Sequence, residues 1–140
     1  MDTKQAVVRH VKGMTFVGKA NSNHWVAIDS SANSEEPPAA PGPMELVLIA
    51  LGGCTAGNVV HVLQKKHLKV DSFEVHLTGQ RRDEHPRVYT KIHLEYVFQG
   101  EGLSQKDIEQ AIELSQTKYC SVSAMIRKSA EISYSYIVTS

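Results

Sequence analysis

Thiols are scarce in this chain: among 140 residues only Cys54 and Cys120 carry one. A scaffold stapled by several disulfides is therefore excluded, and none is needed. A chain of this length reads as a single domain, residues 1–140, able to bury a core without cross-links. Excess charge is missing too. Fifteen basic residues balance fifteen acidic ones, so no positive field advertises a nucleic-acid partner. Nor is there an uninterrupted apolar run of the ~18 residues a membrane span needs. The nearest stretch, Met44 to Val62, is broken by Glu45, Gly52, Gly53, Gly57 and Asn58, and no membrane partner is expected. The start, Met1-Asp2-Thr3-Lys4-Gln5-Ala6, has no apolar segment of the kind a signal peptide carries. The expected location is thus cytoplasmic, where a standing disulfide would be unusual and a Cys–Cys bond would be transient. The seven histidines do not converge, and no Cys/His spacing fits zinc. A glycine-rich phosphate loop after a strand and a Ser/His/Asp set with its elbow are both absent. No bound cofactor is expected.

What is present alternates between two periodicities. Gln5 to Val11 and Met14 to Ala20 alternate apolar and polar residues around a Lys12-Gly13 turn, and His24 to Ile28 continues the pattern. These read as a three-stranded antiparallel meander. Ser30 to Pro43, rich in Ser, Asn, Glu and Pro, reads as a long loop. Pro43 then opens a helix expected to reach about Lys66. Its apolar residues point in all directions, which predicts a central helix buried on every side. Gly52, Gly53 and Gly57 each cost about 1 kcal/mol there relative to Ala, a cost tolerated where another backbone approaches closely. Asp71 to Gln80 and Val88 to Phe98 read as long strands. Ser104 starts a second helix with Ile108, Ala111, Ile112 and Ser115 on one face, broken near Lys118-Tyr119. A short helix from about Cys120 to Lys128 and a strand from Glu131 to Val138 close the chain. The order βββ-α-ββ-α-α-β with long antiparallel strands is α+β.

Each cysteine sits in a segment of its own kind. Cys54 follows Gly52-Gly53 on the apolar helix, and Cys120 precedes Ser121-Val122-Ser123 at a helix start. Two lone thiols can be small core residues or the halves of a redox pair. Glu45 likewise has two readings: an acid stabilising the first turn of its helix, or a member of a site. It lies nine positions before Cys54, roughly 13 Å of helical rise. One straight helix cannot bring both groups to one substrate. Two such helices crossing antiparallel at a twofold axis could.

The run Pro43-Met44-Glu45-Leu46, an apolar stretch, then Gly52-Gly53-Cys54, resembles the OsmC/Ohr family of thiol peroxidases. Cys120-Ser121-Val122-Ser123 is similar to that family's second cysteine motif, and the likeness covers essentially the whole chain. The resemblance implies an OsmC-like fold in an intertwined homodimer, with an active site at the dimer interface. It implies that Cys54, as a thiolate, attacks an organic hydroperoxide and that Cys120 resolves the sulfenic acid as an intramolecular disulfide. An external dithiol reductant, of the lipoyl type for instance, would clear that bond, in a response to oxidative or osmotic stress. Glu45 corresponds to the family's motif glutamate, which pairs with an arginine from the N-terminal half. Here the sequence departs from the family, because no arginine occurs between Arg9 and Arg81. The chain is in this respect similar to an OsmC-like subgroup lacking that arginine. Cys54 lies too deep in its helix to profit from the macrodipole. Lys19, His24, Lys118, Arg81 and Arg82 are the candidate cations. The alternative function is a non-enzymatic OsmC-like protein that binds a small apolar ligand or senses oxidants.

Overall fold

The computed structural model describes residues 1–31 and 37–140 and divides into two compact units, Met1–Val47 and Leu48–Ser140. Of the loop expected between Ser30 and Pro43, residues 32–36 lie outside the described residues. The first unit holds β1 (Ala6–Lys12), β2 (Thr15–Ala20) and β3 (Val26–Asp29), an antiparallel meander in that order. Gly13 makes the first turn at φ +57°, a left-handed conformation that glycine adopts without strain. Asp29 ends β3 as an anchor. Its carboxylate accepts from the Ser31 N–H and hydroxyl and, at 2.7 Å, from the Ala39 N–H. The Asp29 N–H donates to Pro41 O at 3.0 Å. These bonds, the Ser31 hydroxyl foremost, hold the Asp29 pKa below the usual carboxylate value.

The second unit carries nearly all of α1 (Pro43–Lys65), then β4 (Ser72–Arg81), β5 (Tyr89–Gln99), α2 (Gln105–Leu114), α3 (Ser121–Ile126) and β6 (Glu131–Thr139). The strand order is β4-β5-β6. β4 and β5 pair antiparallel, as the sequence suggests, but β6 runs parallel to β5, from Lys91 opposite Glu131 to Gln99 opposite Thr139. The sequence expectation gave β6 no direction, and the connection supplies it. β6 is reached through α2 and α3, and a helical crossover returns the chain to the end of the sheet from which β5 began.

Period-two alternation buries Ile92, Leu94, Tyr96 and Phe98 of β5 on one face, against Leu51, Val59 and Leu63 of α1 and Ile108, Ala111 and Ile112 of α2. Phe73 stacks on Phe98 at 4.4 Å between ring centroids. Each such aliphatic or aromatic side chain contributes about 1.5–3 kcal/mol by leaving water. Ser104 caps α2 by accepting from the Asp107 N–H at 3.1 Å.

α1 departs from the sequence expectation. Only one of its faces is buried in this chain, through Leu51, Gly52, Thr55, Val59, Val62 and Leu63. Ile49 is 58% exposed, and Gly53, Gly57 and His61 are open as well. The glycines divide accordingly. A Cβ on Gly52 would meet Leu77 Cδ1 at 2.8 Å, whereas one on Gly53 or Gly57 would meet nothing within 4 Å. Gly52 lets the helix settle on the β4 side chains, and the other two face open space. By length and mean hydropathy (1.9 over its best window), α1 alone would fit a membrane. Its inner face, however, is packed as a core helix.

Candidate functional site

The site grows from the segment between α2 and α3. After Leu114 the helix widens into one π turn, Ser115–Tyr119, closed by the Cys120 N–H donating to Ser115 O at 2.8 Å. Single π turns favour functional sites because the extra residue re-aims the side chains around it. Here the turn sends two consecutive polar side chains, Ser115 and Gln116, into the core. The sequence suggested only a break near Lys118-Tyr119. The π turn then ends at Cys120, whose extended backbone (φ −78°, ψ 98°) makes it the N-cap of α3.

Cys120 is 3% exposed, and its Sγ accepts from the Ser123 N–H at 3.4 Å. Cys54, on α1, is part-exposed and close enough to Cys120 to disfavour its ionisation. The structure thus brings the two thiols together in the reduced state, one reachable from solvent and one buried. Burial pushes the Cys120 pKa up. The Ser123 hydroxyl and N–H partly offset this, while the adjacent Cys54 adds to it. Ser123 Oγ is buried with no hydrogen-bond partner among the described residues, and its hydroxyl, close to Cys120, favours the thiolate.

Beneath the thiols runs a polar network that sequence reasoning missed. Thr55, next to Cys54, has its Oγ1 2.7 Å from both Tyr96 OH and Ser115 Oγ. Gln116 Nε2 donates to Thr55 Oγ1 at 3.1 Å and to Tyr96 OH at 3.2 Å. Ser115 Oγ donates to Asn58 Oδ1 at 3.2 Å. Arg127, at the end of α3, clamps Gln116 by donating Nη1 to its backbone oxygen at 2.9 Å and Nη2 to Oε1 at 3.0 Å. Burial raises the Tyr96 pKa against the lowering effect of Thr55 and Gln116, so the phenol stays protonated. One signal was available in advance. Ser115 falls on the same helical face as Ile108, Ala111 and Ile112, and a polar residue on an apolar stripe needs a buried partner.

The candidate cations are engaged elsewhere or unassigned. Lys19 donates to Asn23 Oδ1 and lies over the Trp25 ring, and Lys118 lies over Tyr119. Arg81 donates to Arg87 O, and Arg82 faces Glu84 at 3.9 Å. No hydrogen bond or ion pair involving His24 occurs among the described residues. Glu45 is exposed, and its Oε1 accepts from the Gly42 N–H at 3.0 Å, one arm of a capping box for α1. That is its visible role in this chain.

A cavity of about 540 Å³ begins one turn beyond Cys54. Gly57, Asn58, His61 and Val62 of α1 line it with Leu114 and Tyr119 opposite, and Lys65 and Lys66 stand at its far end. Among the described residues no group of three or more His, Cys, Asp or Glu side chains could hold a metal ion. What the arrangement can do is thiol chemistry beside an apolar cavity.

A family model described as OsmC-like protein matches residues 34–135. The chain is 42% identical over 134 residues to Protein YhfA of Escherichia coli (strain K12), covering 96% of this chain and 97% of that one. A solved structure of a hypothetical protein from Aquifex aeolicus VF5 is 32% identical, with a TM-score of 0.83 and complete coverage of both chains. An organic hydroperoxide resistance protein OsmC from Legionella pneumophila shares the fold at a TM-score of 0.70. It is 14% identical and covers 100% of this chain and 98% of that one.

Proposed function

This chain belongs to the OsmC-like family, and from that premise we propose that it is a thiol-dependent peroxidase acting on organic hydroperoxides. One observation carries the reading: the only two thiols in the sequence are neighbours, one part-exposed a turn before an apolar cavity and the other buried. The Cys54 thiolate attacks the outer oxygen of a hydroperoxide. The O–O bond breaks, Cys54 becomes a sulfenic acid, and the alkoxide takes a proton to leave as the alcohol. The Cys120 sulfur then displaces water from that sulfenic acid, giving the 54–120 disulfide. An external dithiol, lipoyl-type or similar, reduces it by two exchange steps and is itself oxidised. The setting is the cytoplasm, in a stress response.

The protein acts as a homodimer in this reading. The exposed α1 face, with Ile49, Gly53 and Gly57, is apolar and smooth enough for a second copy to pack on it. Glu45 then serves the Cys54 site of the partner copy across the axis while capping its own helix.

Turnover of cumene hydroperoxide with a dithiol tests the proposal. Sustained turnover that Cys54→Ser abolishes, with a 54–120 link on peptide mapping after one equivalent of peroxide, is the expected result. Oxidation that stops at one equivalent favours the second reading, an oxidant sensor. That reading gains support from the absence of any cation bonded to Cys54 among the described residues.

A further inference from the structure

The hydrogens of the buried network can be placed by elimination. Arg127 has only donors, so its bond to Gln116 Oε1 fixes that amide with the oxygen toward Arg127 and the nitrogen inward. Both Nε2 hydrogens are then used, one on Thr55 Oγ1 and one on Tyr96 OH. Tyr96 has one hydrogen of its own and one acceptor for it, Thr55 Oγ1 at 2.7 Å. Thr55, now accepting twice, donates to Ser115 Oγ at 2.7 Å. Ser115 donates to Asn58 Oδ1 at 3.2 Å, and the chain ends there.

The opposite order fails. Were the Asn58 amide turned over, Nδ2 would donate to Ser115, Ser115 to Thr55 and Thr55 to Tyr96. The Tyr96 hydrogen would then point at no acceptor, in a site where Tyr96, Thr55 and Ser115 are all 0% exposed. Only one polarity satisfies every group, and Arg127 sets it from eleven residues beyond Gln116.

We propose that Asn58 is a substrate-binding residue: its Oδ1 is held by the Arg127-anchored chain, and its Nδ2 is presented to the cavity as the donor for a substrate oxygen. Asn58 lines the cavity, and among the described residues nothing in the protein accepts from Nδ2. It lies four positions after Cys54, on the same side of α1, where side chains stand about 5–6 Å apart at Cβ. An oxygen bonded to Nδ2 is therefore within reach of the Cys54 sulfur. The assignment rests on the peroxidase reading for its chemistry. When the thiolate attacks the outer oxygen, the electron pair of the O–O bond departs with the inner oxygen as an alkoxide. Nδ2–H meets that charge as it develops, and solvent water then supplies the proton, leaving alcohol and hydroxide. The matching ligand class has an acceptor oxygen near the sulfur and an apolar body filling the space toward Val62 and Leu114. Arg127, Gln116 and Ser115 are positioning residues.

The test compares two reactions of Cys54. Asn58→Ala is expected to slow oxidation by cumene hydroperoxide by about 100-fold, as loss of an oxyanion donor does. Alkylation by methyl iodide, which carries no oxygen, should be essentially unchanged. Arg127→Met, which frees the Gln116 amide to turn, should slow the peroxide reaction by about tenfold and again spare methyl iodide. A parallel fall in both reactions would overturn the proposal, since Asn58 would then act on the thiol itself.

A second measurement is independent of turnover. In Cys54→Ser protein, NMR titration compares acetophenone with α-methylstyrene, which replaces the carbonyl oxygen by a methylene. The ratio of the two affinities should drop about tenfold on adding Asn58→Ala. An unchanged ratio overturns the donor assignment whatever the turnover. A dropped ratio in a protein that reduces no hydroperoxide upholds the donor and sinks the peroxidase reading instead.

Discussion

Two three-stranded sheets are written in this sequence with the same alternation, and they meet opposite fates. Along β5 the alternate residues Ile92, Leu94, Tyr96 and Phe98 are sealed, none above 1% exposed. Along β1 every residue is exposed, Val7, Val8 and Val11 included, and Trp25 and Val26 at the third strand are open as well. The difference is a covering layer. The β4–β6 sheet has α1 and α2 within its own unit, whereas the β1–β3 unit contains no helix of comparable length to lay on its sheet. Alternation specifies a strand and a face; it does not specify what will cover that face. An uncovered apolar face also fits the dimer proposed above, in which a second chain would supply the missing layer.

Truncating one residue in each sheet probes this contrast most sharply. Phe98→Ala should destabilise the protein by about 3–5 kcal/mol in urea unfolding. Val8→Ala should cost within about 0.5 kcal/mol if β1 faces water. A Val8→Ala cost above 1 kcal/mol that shrinks on dilution would mean that a partner copy covers the sheet, and the contrast would then belong to the single chain alone.

Next in size is Tyr96→Phe, which deletes a hydroxyl from the buried network and leaves Gln116 Nε2 with one acceptor fewer. A loss of about 1–3 kcal/mol is expected. No single hydroxyl of the first sheet should match it, and a neutral result would mean the network tolerates a vacancy.

The two units should also respond to opposite ends of the pH scale. Folding holds the Cys120 pKa above its ordinary value, so the folded state favours the thiol. That contribution is complete below the unfolded thiol pKa of about 8.5. It is lost as pH rises through the folded value, because the unfolded chain ionises first. Wild-type stability should therefore decline more steeply in alkali than that of Cys120→Ala.

Asp29 behaves in reverse, and with the smallest effect. Its folded pKa is depressed, so its contribution is present above the unfolded carboxylate value of about 3.9 and fades as pH falls through the folded one. Asp29→Asn should flatten the acid limb and leave the alkaline limb untouched. A change in the alkaline limb would show that the units do not titrate separately.

How far the sequence foretold all this depends on the range of the interaction. Strands and helices came from local periodicity, and their bounds shifted by only a residue or two. The Ser104 cap and the first turn of α1 were legible because each bond spans three residues. The pairing of Cys54 with Cys120 came through a resemblance, since no spacing rule joins positions 66 apart. The direction of β6 was missed because alternation is identical in parallel and antiparallel strands. Arg127 escaped notice for a related reason. It looks like a surface arginine at the end of a six-residue helix, and only the fold shows its guanidinium gripping a buried amide.

The π turn at Ser115–Tyr119 has a consequence for how this chain tolerates change in length. A π turn fits about one more residue than an α turn into nearly the same rotation and rise, so deleting any one residue between Ser115 and Tyr119 would return the segment to ordinary helix and leave the chain beyond it close to its present bearing. Cys120 would keep its place near Cys54, but Ser115 and Gln116, the two neighbours that the turn admits to the core, would not both keep their aim. The turn works as a splice. A chain one residue shorter here would keep the meeting of its thiols yet lose the polar floor beneath them.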